Sequence, residues 1–334
     1  MKKHLLGVAA GSIMLSPIVA SAQTEVHFWH AFTGRLGELV AGQVDQFNAG
    51  QSDYVVVQNH KGNYSETLNA GIAAFRAKEQ PHILMVFEVG TATMMAARGA
   101  VRPVYEVMAE SGASFDSDAY IGAVKGYYTT TDGDMLSLPF NSSTPVLWVN
   151  RDAFEAAGVD PDMDLSTWEN VGGALDALKA GGEDCPLVTA WQSWIHLENF
   201  SAYHNVPFAS QDNGFAGLDT ELMLNGPAQV AHLSAMQQWA KDGKFIYTGR
   251  RNEGGANFRA GDCALFTESS AGYAGISSQA EFDFEVRPLP YWTAVADEPQ
   301  NTIIGGASLW VMEGHDAAEY AGVGEFLSFL STSE

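Results

Sequence analysis

"PFNSSTPVLWVNRDAFEAAGVDP", residues 139–161, changes character three times. The polar, turn-prone "NSST" runs into the apolar, strand-like "PVLWV". That run then gives way to a charged helix start, "NRDAFEAAG", which a glycine ends. An enzyme loop has this texture, and so does a chain crossing from one domain to another. The rest of the sequence decides between them.

On both sides strand-like and helix-like segments alternate. "EVHFW" (25–29), "YVVVQ" (54–58) and "HILMVFEV" (82–89) read as strands. Between them, residues 34–50 place Leu36, Leu39, Val40, Val44 and Phe47 on one helical face with Gly50 as the stop, and residues 66–78 form a second helix. Residues 90–100 start another helix. After the crossing, residues 164–182 read as a helix opened by a capping box of Ser166 with Glu169. "PLVTA" (186–190) is a strand. Residues 226–244 are helical from the spacing of Val230, Leu233, Met236 and Trp239. A strand at 303–312 and a helix at 316–330, with Phe326, Leu327 and Leu330 facing the core, come last. This rhythm predicts mostly parallel sheets with helices on both faces. With no repeats and no Pro-rich linker, it implies two α/β lobes joined by crossing strands.

The first 22 residues read as a signal peptide. "MKKH" is a positive start, the apolar run after it is too short and interrupted to span a membrane, and "ASA" precedes Gln23 as a cleavage site. The exported part, from residue 23, is long enough for about two domains. The formal charge of −23 becomes −25 without Lys2 and Lys3. Such a surface repels nucleic acid and anionic membranes, which both need clustered Lys and Arg. Cys185 and Cys263 both lie in the exported part, where an oxidising compartment favours a disulfide; the sequence does not show that they meet. The nine His show no ligand spacing beyond "HFWH", whose two His face opposite sides of a strand, so no metal site is expected.

Several segments then carry a resemblance. "LPFNSSTPVLWVNRDAFEAAGVDP" followed by "TWEN", together with "GNYSETLNAGIAAF", "EVGTATMMA", "WQSWIHLENF", "FRAGDCALFTESS" and "IIGGASLWVM", resembles the carbohydrate-type solute-binding proteins of ABC importers, and among them those for sn-glycerol-3-phosphate. The resemblance runs from about residue 24 to residue 334. It implies a periplasmic-binding-protein fold, with one lobe of residues 23–141 plus 303–334 and the other of residues 142–302. It also implies a periplasmic monomer that needs no cofactor, captures the phosphoester in an interlobe cleft and hands it to membrane permease subunits. Carried over residue by residue, Tyr64, Ser143, Gly305 and Gly306 match positions near the phosphate. Glu88 and Trp191 match positions that hold the glycerol, and Ser269 or Ser270 matches a further polar contact. The family continues beyond the "GVGEFLSFLSTSE" helix into a part that supplies a Tyr and an Arg to the phosphate. The 334-residue chain by itself is therefore expected to bind weakly and to aggregate.

The chemistry is sensible on its own terms. Glu88, at the end of a parallel strand, sits where open α/β sheets bind ligands, and its carboxylate can accept from vicinal hydroxyls. Trp191 offers a flat apolar face to glycerol carbons, while Trp194, three residues on, is expected in the core. Tyr64, Ser143 and the Gly306 amide are neutral donors that can hold an anion inside an acidic protein. Arg250 and Arg251 in "TGRRNEGG" read as a solvated loop. Two other functions compete. A neutral-sugar binder would share the crossing, but sugar sites usually stack several aromatics. A secreted hydrolase would need paired carboxylates; Glu88 and Glu198 could be nominated, but Glu198, inside a helix in "HLENF", has nothing to mark it as an acid. No nucleophile elbow or Walker loop is present.

Overall fold

The computed structural model describes residues 23–130, 132–214, 216–217 and 219–332. The segment read as a signal peptide, 1–22, lies outside them. The strands are β1 (Thr24–His30), β2 (Tyr54–His60), β3 (Ile83–Phe87), β4 (Val101–Arg102), β5 (Leu138–Ser143), β6 (Pro145–Asn150), β7 (Leu187–Thr189), β8 (Phe245–Ile246), β9 (Leu265–Ser269), β10 (Phe284–Pro288) and β11 (Gly305–Met312). They form two sheets. One has the order β2-β1-β3-β11-β4, with β5 also on β11; the other has the order β10-β6-β9-β7-β8.

Both sheets are mixed, with two parallel and three antiparallel pairings in the first and two of each in the second, which corrects the expectation of mostly parallel sheets. β1 runs parallel to β2 and β3, and β7 runs parallel to β8 and β9. Those strands are reached through crossover helices, which parallel pairing requires. The strands flanking the crossings between sheets, β5, β6, β10 and β11, pair antiparallel. Only Thr144 separates β5 from β6. Its N–H donates to Ser270 Oγ at 3.1 Å, and the Ser270 N–H donates to the Thr144 carbonyl at 2.8 Å. The second crossing runs from Pro288 to Gly305.

Each sheet is covered on both faces. The Gly34–Gly50 helix buries Val40, Val44 and Phe47 against β1, while Leu39 is exposed, so its apolar stripe is narrower than the spacing implied. The Ala317–Leu330 helix, opened by a capping box of Asp316 with Glu319, brings Phe326 against Phe28 and Phe47. On the other face Leu84, Val86 and Trp310 pack with Leu68 and Phe75 of the Tyr64–Ala77 helix. In the second sheet, Cys185 and Cys263 are bonded, with Cα atoms 4.5 Å apart, inside a cluster that includes Trp148, Phe258 and Phe266.

Two helix readings need correction. The Trp168–Ala180 helix is capped by Thr167, whose hydroxyl accepts from Asn170 N–H at 3.2 Å. Glu169 does not turn back to Ser166; its carboxylate accepts from Thr293 Oγ at 2.8 Å, a partner too distant in sequence to be foreseen. The Pro227–Lys241 helix leaves Val230 and Leu233 exposed and buries Gln229, His232 and Met236. The buried polar face wins because its groups find partners. Trp292 Nε1–H donates to His232 Nδ1 at 2.9 Å, so the neutral His232 ring carries its proton on Nε2. That proton is given to His196 Nδ1 at 3.1 Å, and His196 Nε2–H donates to Thr189 Oγ at 2.9 Å.

Candidate ligand-binding cleft

β3 ends at Phe87, and Glu88 opens a short 3-10 turn, Glu88–Gly90. Beside it β11 starts with Gly305 and Gly306, facing Ser143 and Ser142 of β5. The Gly306 N–H donates to Glu88 Oε2 at 3.2 Å. Gly306 has φ +127°, and a Cβ there would lie 2.1 Å from the Asn141 carbonyl oxygen. At Gly305 a Cβ would meet the Trp194 ring at 2.7 Å. Tyr127 O–H donates to the Glu88 carbonyl at 3.1 Å. Tyr64 stacks on Phe87 with centroids 5.4 Å apart, and its phenol oxygen accepts from Asn141 Nδ2 at 3.4 Å.

The electrostatics follow from desolvation. Burial pushes Glu88 up to about 7, and the like charge of Glu198 adds to that against the Gly306 N–H. Burial also raises Glu198. Tyr64 is pushed up to about 12, again chiefly by burial, so its phenol keeps a proton to donate.

The second sheet supplies the facing wall. Ala190 N–H donates to the Thr267 carbonyl, so Trp191 leaves the sheet beside Glu268. Trp191 adopts the left-handed backbone, φ +47°, held by its N–H on the Arg251 carbonyl at 2.8 Å. Glu268 is 5% exposed and accepts from Ser269 N–H at 2.7 Å. Burial pushes it up to about 7, opposed by Ser269 and by the Trp191 side chain. Ser269 Oγ accepts from Ala271 N–H, and Ser270 Oγ accepts from Thr144 N–H, both at 3.1 Å. Each hydroxyl therefore has its proton left to donate.

Tyr64, Glu88, Ser143, Gly305 and Gly306 thus share one wall, on β3, β5, β11 and the start of the Tyr64–Ala77 helix. Trp191, Ser269 and Ser270 stand on the second sheet, and the Thr144–Ser270 pair joins the two sets. The Gly306 amide, expected as an open donor, is taken by Glu88. Sequence reasoning missed the neighbours. Trp194 is buried as expected, yet its ring lies against Gly305. Glu198 sits in a π-helical stretch, Trp194–Asn199, a wide turn that no residue pattern in "WIHLEN" announces. Asn141 and Tyr127 were likewise unmarked. A surface cavity of about 530 Å³ between Asn150, Asp152, Arg259 and Glu281 shares none of these residues.

One group away from the cleft has metal-ligand types: His82, His315 and Glu319. His82 Nδ1 accepts from His27 N–H at 2.8 Å, so its neutral ring carries the proton on Nε2, 3.3 Å from Glu319 Oε1. A proton already fills the place an ion would need.

Two α/β sheets joined by crossing strands, with hydroxyls, amides and a carboxylate converging at the crossing, define a two-lobed binding protein. A sequence profile for bacterial extracellular solute-binding proteins matches residues 42–334, and the chain belongs to that family. It is 48% identical over 316 residues to the sn-glycerol-3-phosphate-binding periplasmic protein UgpB of Escherichia coli K12, covering 94% of this chain and 72% of that protein. Among solved structures it resembles UgpB from Mycobacterium tuberculosis in complex with glycerophosphocholine, with a TM-score of 0.76 at 19% identity over 92% of this chain and 77% of that one. The GacH receptor of Streptomyces glaucescens, solved unliganded and with acarbose, matches with a TM-score of 0.77 at 14% identity over 93% of this chain and 76% of that one. Family membership makes this a solute-binding protein and not an enzyme. Among the described residues no helix is long and apolar enough to cross a membrane.

Proposed function

We propose that this chain captures sn-glycerol-3-phosphate between its two lobes in the periplasm and delivers it, as a monomer, to the permease subunits of an ABC importer. The lobes are residues 23–141 with 303–334, and residues 142–302, closing about the crossing strands. The observation that carries the reading is the meeting of Glu88 with the Gly306 amide. One cleft wall thus holds an acceptor for hydroxyls and a main-chain donor for an anion, within 3.2 Å of each other. Ligands with both parts fit such a pair. Tyr64 and Ser143 add neutral donors on the phosphate side, Trp191 covers the glycerol carbons, and Ser269 or Ser270 donates from the facing wall. Nearly half of the residues are shared with a relative named for this ligand, which supports it over a neutral sugar.

The test is calorimetry on the full natural protein. Glu88→Ala should weaken glycerol-3-phosphate by about 1.5–3 kcal/mol, the range for charge-assisted hydrogen bonds. Tighter binding of maltose than of glycerol-3-phosphate by the unmodified protein would overturn the reading.

A further inference from the structure

Two residues assigned to the ligand already hold each other. The Gly306 N–H, the anion donor, is bonded to Glu88 Oε2. Any anion approaching that amide meets a carboxylate in its place. To bind, it must turn Glu88 away, and the displaced group then lies half-buried without its donor. The groups that face it there are the like charge of Glu198 and the phenols of Tyr64, Tyr127 and Tyr128. Turned away, the carboxylate keeps only phenol donors and stays beside two like charges, Glu198 and the incoming anion, in a half-buried site, which is costly.

We propose that the Glu88 carboxylate occupies the Gly306 donor in the empty protein and thereby excludes inorganic anions, admitting only an anion that brings hydroxyls for Glu88 to accept. The second half rests on the glycerol-3-phosphate reading; the first does not. Sulfate or inorganic phosphate takes the amide and gives the carboxylate nothing. A glycerol phosphoester takes the amide with one end and returns two hydroxyl donors with the other. Discrimination then comes from a repulsive element built into the site, beside the attractive ones.

Sulfate is the probe, because it stays doubly charged and has no hydroxyl, and it is titrated at pH 8, above the value of about 7 to which burial pushes Glu88. On the full natural protein, sulfate affinity should rise in the order unmodified, Glu88→Gln, Glu88→Ala. The ends should differ by at least about tenfold, or 1.4 kcal/mol. Glycerol-3-phosphate affinity should fall in the same order. The side chain introduced by Glu88→Gln can still accept from the Gly306 N–H but lacks the charge. That variant therefore holds the test if thermal melting shows that Glu88→Ala does not fold. Equal sulfate binding by all three proteins, or weaker binding by the variants, would overturn the exclusion. If sulfate follows the order and the unmodified protein ignores glycerol-3-phosphate, the exclusion stands and the ligand assignment falls.

Discussion

Gly306 is the residue on which the cleft turns. Its φ of +127° is open to glycine and strained for other residues, and any Cβ collides with the Asn141 carbonyl. Gly306→Ala should cost about 1–3 kcal/mol for the backbone alone, with the steric contact in addition. Gly305→Ala is the useful comparison, since its Cβ would meet only the Trp194 ring, a side chain that can shift. Melting temperatures should therefore fall further at 306 than at 305; the reverse order would mean that the β11 backbone relaxes easily. At this scale the sequence was partly legible. The family resemblance put Gly305 and Gly306 near an anion, where the residues alone read as a tight turn, and Glu88 at a strand end marked an acceptor. That the two bond each other was not legible, because their separation of 218 residues is closed only by β3 lying against β11.

At the scale of elements, strand and helix positions followed from apolar period, and the two helix misreadings share one cause. The period shows which residues can be buried, and partners from other elements decide which are. The Pro227–Lys241 helix offered Val230 and Leu233, yet it turned His232 inward because Trp292 and His196 could satisfy both ring nitrogens. Glu169 left its own helix for Thr293 on the same principle. The disulfide is the one long-range tie whose ends could be named from composition. It closes a separation of 78 residues and joins the start of β7 to that of β9. In the chain-entropy account its loss should cost about 4.5 kcal/mol. Urea unfolding of Cys185→Ser/Cys263→Ser against the oxidised protein measures it, and equal midpoints would show that the sheet pairing of β7 with β9 needs no tether.

For the molecule as a whole, two sets of buried groups pull stability in opposite directions with pH. His82 and His196 are lowered to about 4, mainly by burial, from 6.5 when exposed. Between those values the unfolded chain binds more protons, so stability falls as pH drops from about 6.5 towards 4. Glu88 and Glu268 are raised to about 7 from 4.5. For them the folded state binds more protons, so stability falls as pH rises from 4.5 to about 7. The windows overlap, and the slopes oppose. Glu268→Gln keeps an oxygen for the Ser269 N–H and removes one opposing group. Its melting temperature relative to the unmodified protein should climb as pH rises from 4.5 through 7. A difference independent of pH would mean that Glu268 titrates as an exposed carboxylate does.

An anion donor made of main chain also lies beyond the reach of point mutation. No codon at 306 can reverse its polarity, and any codon but glycine puts a side chain where the Asn141 carbonyl stands. Only proline would delete the N–H, at the cost of the strand. Selection for a new ligand must then write its changes elsewhere, at Glu88, Tyr64, Ser143 and Trp191, around a fixed point. Directed evolution of this cleft towards a neutral solute should accumulate substitutions at those four positions and recover glycine at 306 in every surviving clone.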